Sequence, residues 1–178
     1  MLRILNKIAK IGVITEPVSR DPGLDALGIE VKRRVDKYSR GSFAIREVDA
    51  GSCNGCELEI QALSNPYYDV ERFGVHFVAS PRHADALLVT GPVSRHMAFA
   101  LKQTYAAMPS PRWVIAAGDC AVNGGEFGCT YATVGKVEKV IPVDATISGC
   151  PPTPTQLLRG ILALFDTDKL THKPTRNS

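Results

Sequence analysis

Two pentads, apolar throughout but for one closing threonine, constrain the fold more than any other feature of this chain. They are Ala86-Leu87-Leu88-Val89-Thr90 and Trp113-Val114-Ile115-Ala116-Ala117. Side chains alternate between the faces of a strand, so a run that is apolar at every position must be covered on both sides. That pattern belongs to a parallel sheet between two helical layers. Three further strands are expected: Phe43 to Val48, with Phe43, Ile45 and Val48 inward, then Val75 to Val78 and Val143 to Ile147. Helices fit between them. Ser94 can cap one whose Met97, Leu101, Tyr105 and Met108 share a face. Thr153, Pro154 and Gln156 form a capping box ahead of Leu157, Leu158, Ile161, Leu162 and Phe165. The expected class is α/β, a flavodoxin-like doubly wound parallel sheet with an N-terminal helical extension.

The 178 residues, 44% of them hydrophobic, suffice for one core plus extensions. Residues 1–41 read as an extension, 42–168 as the α/β domain and 169–178 as a polar tail. Within the extension, Leu5, Ile8 and Ile11 share a helical face with Lys7 and Lys10 opposite. The segment from Gly28 to Arg40 carries Lys32, Arg33, Arg34, Lys37 and Arg40. Both stretches read either as solvated or as a docking arm for partner subunits or an anionic membrane surface. A net charge of +3, with no long basic tract, gives no reason to expect nucleic acid. No stretch approaches the roughly 20 apolar residues of a membrane span, and the first residues lack a signal core. A cytoplasmic, peripheral protein is expected.

Four of the five cysteines lie in glycine- or proline-rich loops: Cys53 and Cys56 as a Cys-x-x-Cys pair, then Cys120 and Cys150. Each loop follows the carboxyl end of an expected strand, the edge where open parallel sheets bind ligands. Four thiolates form one complete shell for an iron–sulfur cubane. Gly51, Gly55, Gly118, Gly124, Gly125 and Gly149 would let backbone approach inorganic sulfide, and Cys150-Pro151 is a recurrent iron–sulfur pairing. Structural zinc remains open, although zinc usually takes two close ligand pairs. So does thiol redox chemistry at Cys53-x-x-Cys56, which leaves Cys120 and Cys150 unused. Cys129 reads as a small buried residue rather than a ligand.

The motifs Cys-Asn-Gly-Cys-Glu-Leu-Glu, Gly-Asp-Cys-Ala-Val-Asn-Gly-Gly-Glu-Phe and Gly-Cys-Pro-Pro-Thr-Pro together resemble the 20 kDa subunit family of respiratory complex I. Glu71-Arg72-Phe73-Gly74 and Ser80-Pro81-Arg82-His83-Ala84-Asp85 add to the likeness, which covers residues 43–165. Complex I members carry two adjacent cysteines in the first motif. Here Cys53-x-x-Cys56 stands instead, as in the small subunits of group 4 membrane-bound [NiFe]-hydrogenases of the formate hydrogenlyase type. The resemblance implies one [4Fe-4S] cluster on Cys53, Cys56, Cys120 and Cys150, proximal to the active site of a large partner subunit. It also implies a ferredoxin-like 2x[4Fe-4S] partner, membrane subunits, and a place on the cytoplasmic side of the inner membrane. The implied role is electron transfer within a hydrogenase complex, an oxidoreductase whose active site lies mainly in the large subunit. The alternative is a complex I-like subunit passing electrons to quinone. This chain lacks the two Cys-x-x-Cys pairs of a nickel–iron subunit.

Among the charged residues, Glu57 reads as a helix cap with Asn54. Glu59 aligns with a glutamate of the complex I pattern and is a candidate for proton coupling or partner contact. Arg82 is a candidate contact to a partner or a quinone-like headgroup, and His83 a capping or packing residue. Asp119 and Glu126 are expected to be solvated or at an interface. His76 and His96 have no ligand spacing.

Overall fold

The computed structural model describes residues 2–12 and 21–166. The expected polar tail, 169–178, lies outside the described residues. Two helices come first, α1 (Leu2–Ile11) and α2 (Pro22–Ser39). Then follow β1 (Phe43–Asp49), α3 (Gly55–Ala62), β2 (Val75–Phe77), β3 (Ala86–Thr90), β4 (Val93–Ser94) and α4 (Arg95–Ala107). The chain continues through β5 (Trp113–Ala117), α5 (Asp119–Asn123), β6 (Thr133–Gly135), β7 (Ala145–Ile147) and α6 (Pro154–Asp166). The main sheet has the order β2-β1-β3-β5-β7 with every pair parallel. That is the flavodoxin-like winding, whose order reverses beside β1. Strands β4 and β6 form a separate antiparallel pair.

The two apolar pentads are the middle of this sheet, and each is buried at all five positions. Ala86, Leu88, Trp113, Ile115 and Ala117 pack toward α2, α3 and α6. Leu87, Val89, Val114 and Ala116 pack toward α4 and α5. Alternation within a continuous apolar run thus feeds two cores, and each fully buried leucine contributes roughly 1.5–3 kcal/mol. Val48 lies on the face opposite Phe43 and Ile45, contrary to the expectation that all three point one way. A period of two puts positions 43 and 48 on different faces. Strand β7 starts at Ala145, later than expected, because the Val114 N–H donates to the Asp144 carboxylate at 3.0 Å.

The helix caps follow the sequence closely. Ser94 Oγ accepts from Met97 N–H at 3.2 Å. Thr153 and Gln156 exchange the two bonds of a capping box, 2.8 Å and 3.3 Å.

The boundary drawn at residue 42 cuts through a packed unit. Leu24, Gly28, Val31 and Val35 are buried on one face of α2, against α6 and the turn at Val70–Phe73. A Cβ on Gly28 would lie 2.0 Å from the Phe73 ring. The basic residues of this segment occupy its outer face, where Arg33 and Arg34 pair with Glu30 and Arg34 also pairs with Asp166. These guanidinium groups hold the Glu30 carboxyl down at about 2. Helix α1 buries none of its residues.

Candidate metal centre

Each cysteine loop leaves the carboxyl end of a parallel strand and is shaped by short local bonds. After β1, the Asp49 carboxylate accepts from Gly51 N–H and Ser52 N–H, both at 2.7 Å. Asn54 then takes a left-handed conformation, φ 69°, and α3 begins with Cys56 in its first turn. After β5, Gly118 adopts φ 87° and ψ 153°, a region essentially restricted to glycine. Its N–H donates to Ile147 O at 2.8 Å, and Cys120 follows in α5. After β7, the Gly149 N–H donates to the Asp119 carboxylate at 2.8 Å, and Gly149 O accepts from Asp119 N–H at 2.9 Å. This reciprocal pair ties the Cys120 loop to the Cys150 loop. Asp119 was expected to be solvated or at an interface; it is instead a brace within the site.

Cys53, Cys56, Cys120 and Cys150 all line one small cavity, with Gly55, Gly91, Gly149 and Pro151 between them. Two glycines cradle the thiols. A Cβ on Gly118 would stand 2.6 Å from Cys56 Sγ, and one on Gly125 2.6 Å from Cys120 Sγ. No larger residue fits either position with the sulfur where it is. Among the described residues, no three His, Cys, Asp or Glu side chains converge tightly enough to hold a single ion. A larger cleft of about 350 Å³, lined by Arg46, Glu47, Ile60, Gln61 and Phe77 among others, contains none of the cysteines.

The thiols lie close enough to oppose one another's ionisation. Burial pushes the Cys56 thiol up to about 12, reinforced by Glu57 and then by the other three cysteines. Cys120 is raised by burial first, then by Cys150 and Cys53. Four thiolates here call for a positively charged partner at the centre.

Glu57 does not cap its helix. Asn54 makes no side-chain cap bond, and both Glu57 oxygens are buried without a partner, the residue being 8% exposed. Glu47, which sequence reasoning passed over, has a buried, unpartnered Oε1. Burial, then Glu57, raises its carboxyl above the usual range. The signal was present: two residues beyond Ile45, Glu47 occupies a core-facing register in β1.

The remaining candidates lie outside the cavity. Glu59 is half-buried on α3. Arg82 and His83 are exposed in a short turn closed by Ser80, whose Oγ accepts from Arg82 N–H at 3.3 Å. Glu126 and His96 are exposed and His76 is half-buried. Cys129 is exposed rather than buried. It stands on the loop between α5 and β6, which leaves the sheet and gives the thiol no packing partner layer.

The family model of the NADH ubiquinone oxidoreductase 20 kDa subunit matches residues 53–164, from the first cysteine through most of α6. This chain belongs to that family. It is 48% identical over 130 residues to a probable membrane-bound hydrogenase subunit of Pyrococcus furiosus, covering 73% of this chain and 78% of the relative. Formate hydrogenlyase subunit 7 of Escherichia coli is 43% identical over 148 residues, covering 76% of this chain but only 58% of the relative. Among solved structures, a chain of the membrane-bound sulfane sulfur reductase, an archaeal respiratory membrane complex, superposes with a TM-score of 0.64 at 35% identity. That match covers 75% of this chain and 74% of the other. The 20 kDa family member described here is thus an electron-transfer small subunit of a hydrogenase- or complex I-like oxidoreductase complex, and membership implies an iron–sulfur cofactor. No helix among the described residues is long and apolar enough to cross a membrane.

Proposed function

We propose that this chain carries one [4Fe-4S] cluster on Cys53, Cys56, Cys120 and Cys150. We further propose that it relays electrons to or from the nickel–iron site of a large partner subunit in a membrane-associated [NiFe]-hydrogenase. The observation that carries the reading is the ring of four cysteines around one cavity, with glycines where a Cβ would strike Cys56 and Cys120. The cavity is lined by four soft sulfurs and no histidine; the Asp119 carboxylate also lines it but accepts from Gly149 N–H, and this donor set suits iron–sulfur chemistry. A cubane held there exchanges electrons one at a time.

The chain's own residues do the rest. Asp119 and Gly149 hold two ligand loops in register, and Gly118 and Gly125 keep space for sulfur. Buried Glu57 adds negative charge beside the site, a means of tuning it. The Cys-x-x-Cys spacing favours the hydrogenase branch. The partners that follow from this reading are a [NiFe]-type large subunit, a ferredoxin-like subunit and membrane subunits on the cytoplasmic face. Glu59 and Arg82 are partner-contact or coupling residues in the same reading. The match to the NADH ubiquinone oxidoreductase 20 kDa family favours one second reading, in which the electrons pass to quinone, and the likeness to the sulfane sulfur reductase chain is compatible with an acceptor other than protons.

Anaerobically prepared protein is expected to hold about four irons with matching acid-labile sulfide and to give a paramagnetic signal on reduction. One zinc and no sulfide would overturn the cluster. The sequence of the co-purifying large subunit separates the two readings: cysteine pairs for nickel support the hydrogenase, and their absence supports the alternative.

A further inference from the structure

Helix α1 has a strongly divided surface. At about 100° per residue, Leu2, Ile4, Leu5, Ile8 and Ile11 fall within one half of its circumference. Arg3, Asn6, Lys7 and Lys10 share the other half. The five aliphatic residues are 50–84% exposed, and the helix buries nothing against the body of the protein. Ten residues are too few for a stable isolated helix in water, where about 12–15 are already marginal. An outside apolar surface is needed to hold it.

The composition of the helix says which surface. All of its charges are positive: three cations and no carboxylate. All of its apolar anchors are leucine or isoleucine, with no aromatic residue of the kind that dominates protein–protein hot spots. A broad aliphatic half flanked by lysine and arginine matches the interface of a bilayer carrying negative headgroups. We propose that α1 lies in the plane of an anionic lipid surface. Leu5 and Ile8 sit at the centre of the embedded face, and Arg3, Lys7 and Lys10 reach the headgroups. The inference is independent of the cofactor and of the electron acceptor, since it uses no residue of the cysteine cavity.

The test is cosedimentation of the full 178-residue chain with vesicles of equimolar phosphatidylglycerol and phosphatidylcholine, and with phosphatidylcholine alone. The chain is expected to sediment with the anionic vesicles and to be released by high salt. Leu5→Gln/Ile8→Gln should weaken binding by roughly a hundredfold. Lys7→Glu/Lys10→Glu should weaken it by at least about tenfold. Circular dichroism should be near wild type in both variants, because α1 supports no core contact. No binding to anionic vesicles, equal binding to the neutral vesicles, or equal binding by either double variant overturns the proposal. If Leu5→Gln/Ile8→Gln instead abolishes association with the purified partner subunits while vesicles retain nothing, the face belongs to a protein groove.

Discussion

The interior of the sheet and its cysteine-bearing rim are built on opposite terms. Strands β3 and β5 are buried at every position, by aliphatic side chains, one tryptophan and Thr90, whose hydroxyl donates to Val48 O. What matters there is apolar volume, and conservative exchanges preserve it. The rim follows the carboxyl ends of β1, β5 and β7, where Cys53 comes four residues after Asp49, and Cys120 and Cys150 each come three residues after their strands. It depends on particular atoms: a carboxylate at Asp119, missing Cβ atoms at Gly118 and Gly125, and four sulfurs around a cavity. The sheet places the rim, yet damage to one need not register in the other.

The largest expected effect tests the interior. Leu88→Ala removes a fully buried side chain and should cost about 2–5 kcal/mol, read from denaturant unfolding of the iron-free chain. The iron content of whatever remains folded should be unchanged. Equal loss of both would mean that rim and interior are one unit.

Gly118→Ala should do the reverse. Its backbone conformation is one that alanine tolerates only at about 1–3 kcal/mol, and its methyl would stand 2.6 Å from Cys56 Sγ. Iron loading should fall severely, while unfolding shifts by less than in Leu88→Ala. Normal loading would show that the cradle is not needed.

Asp119→Ala leaves the Gly149 N–H without its acceptor, a loss of about 1–3 kcal/mol for a part-buried group. Slower or incomplete loading should accompany it, with Cys129→Ser as the control that loads normally.

The smallest effect is one of pH, muted because solvent screens the half-buried Cys56 thiol. Burial pushes the Cys56 thiol up to about 12 in the folded iron-free chain, while an unfolded cysteine loses its proton near 9.0. The unfolded state therefore binds fewer protons between these values, and stability falls as pH rises through that window. Below pH 9 the contribution is fully present. Cys56→Ser should flatten this part of the profile in urea titrations.

Much of the interior was legible in the sequence because its signals are local. Two pentads, a serine cap at Ser94 and a capping box at Thr153 each sit within a few residues of the structure they specify. The cysteines were legible through the rule that loops at the carboxyl ends of parallel strands share an edge. Helix α2 was misread because its four basic residues, with Arg40 just past its end, outweighed Leu24, Val31 and Val35 on the inner face. Their register emerges only against Phe73, far along the chain. Asp119 and Glu57 were misread for a related reason. A carboxylate that braces a loop thirty residues away, or is buried with no partner, has no local pattern to announce it. Cys129 erred the other way: small and apolar suggested burial, but its loop departs from the sheet.

The bond from Gly149 to Asp119 has a consequence for the order of events as the protein matures. It is made entirely by main chain and one carboxylate, so it needs no metal to form. Two of the three cysteine loops are therefore held together by the polypeptide's own bonds. If the proposed cluster sits there, its insertion is a late step performed on a folded receptacle rather than the event that folds it.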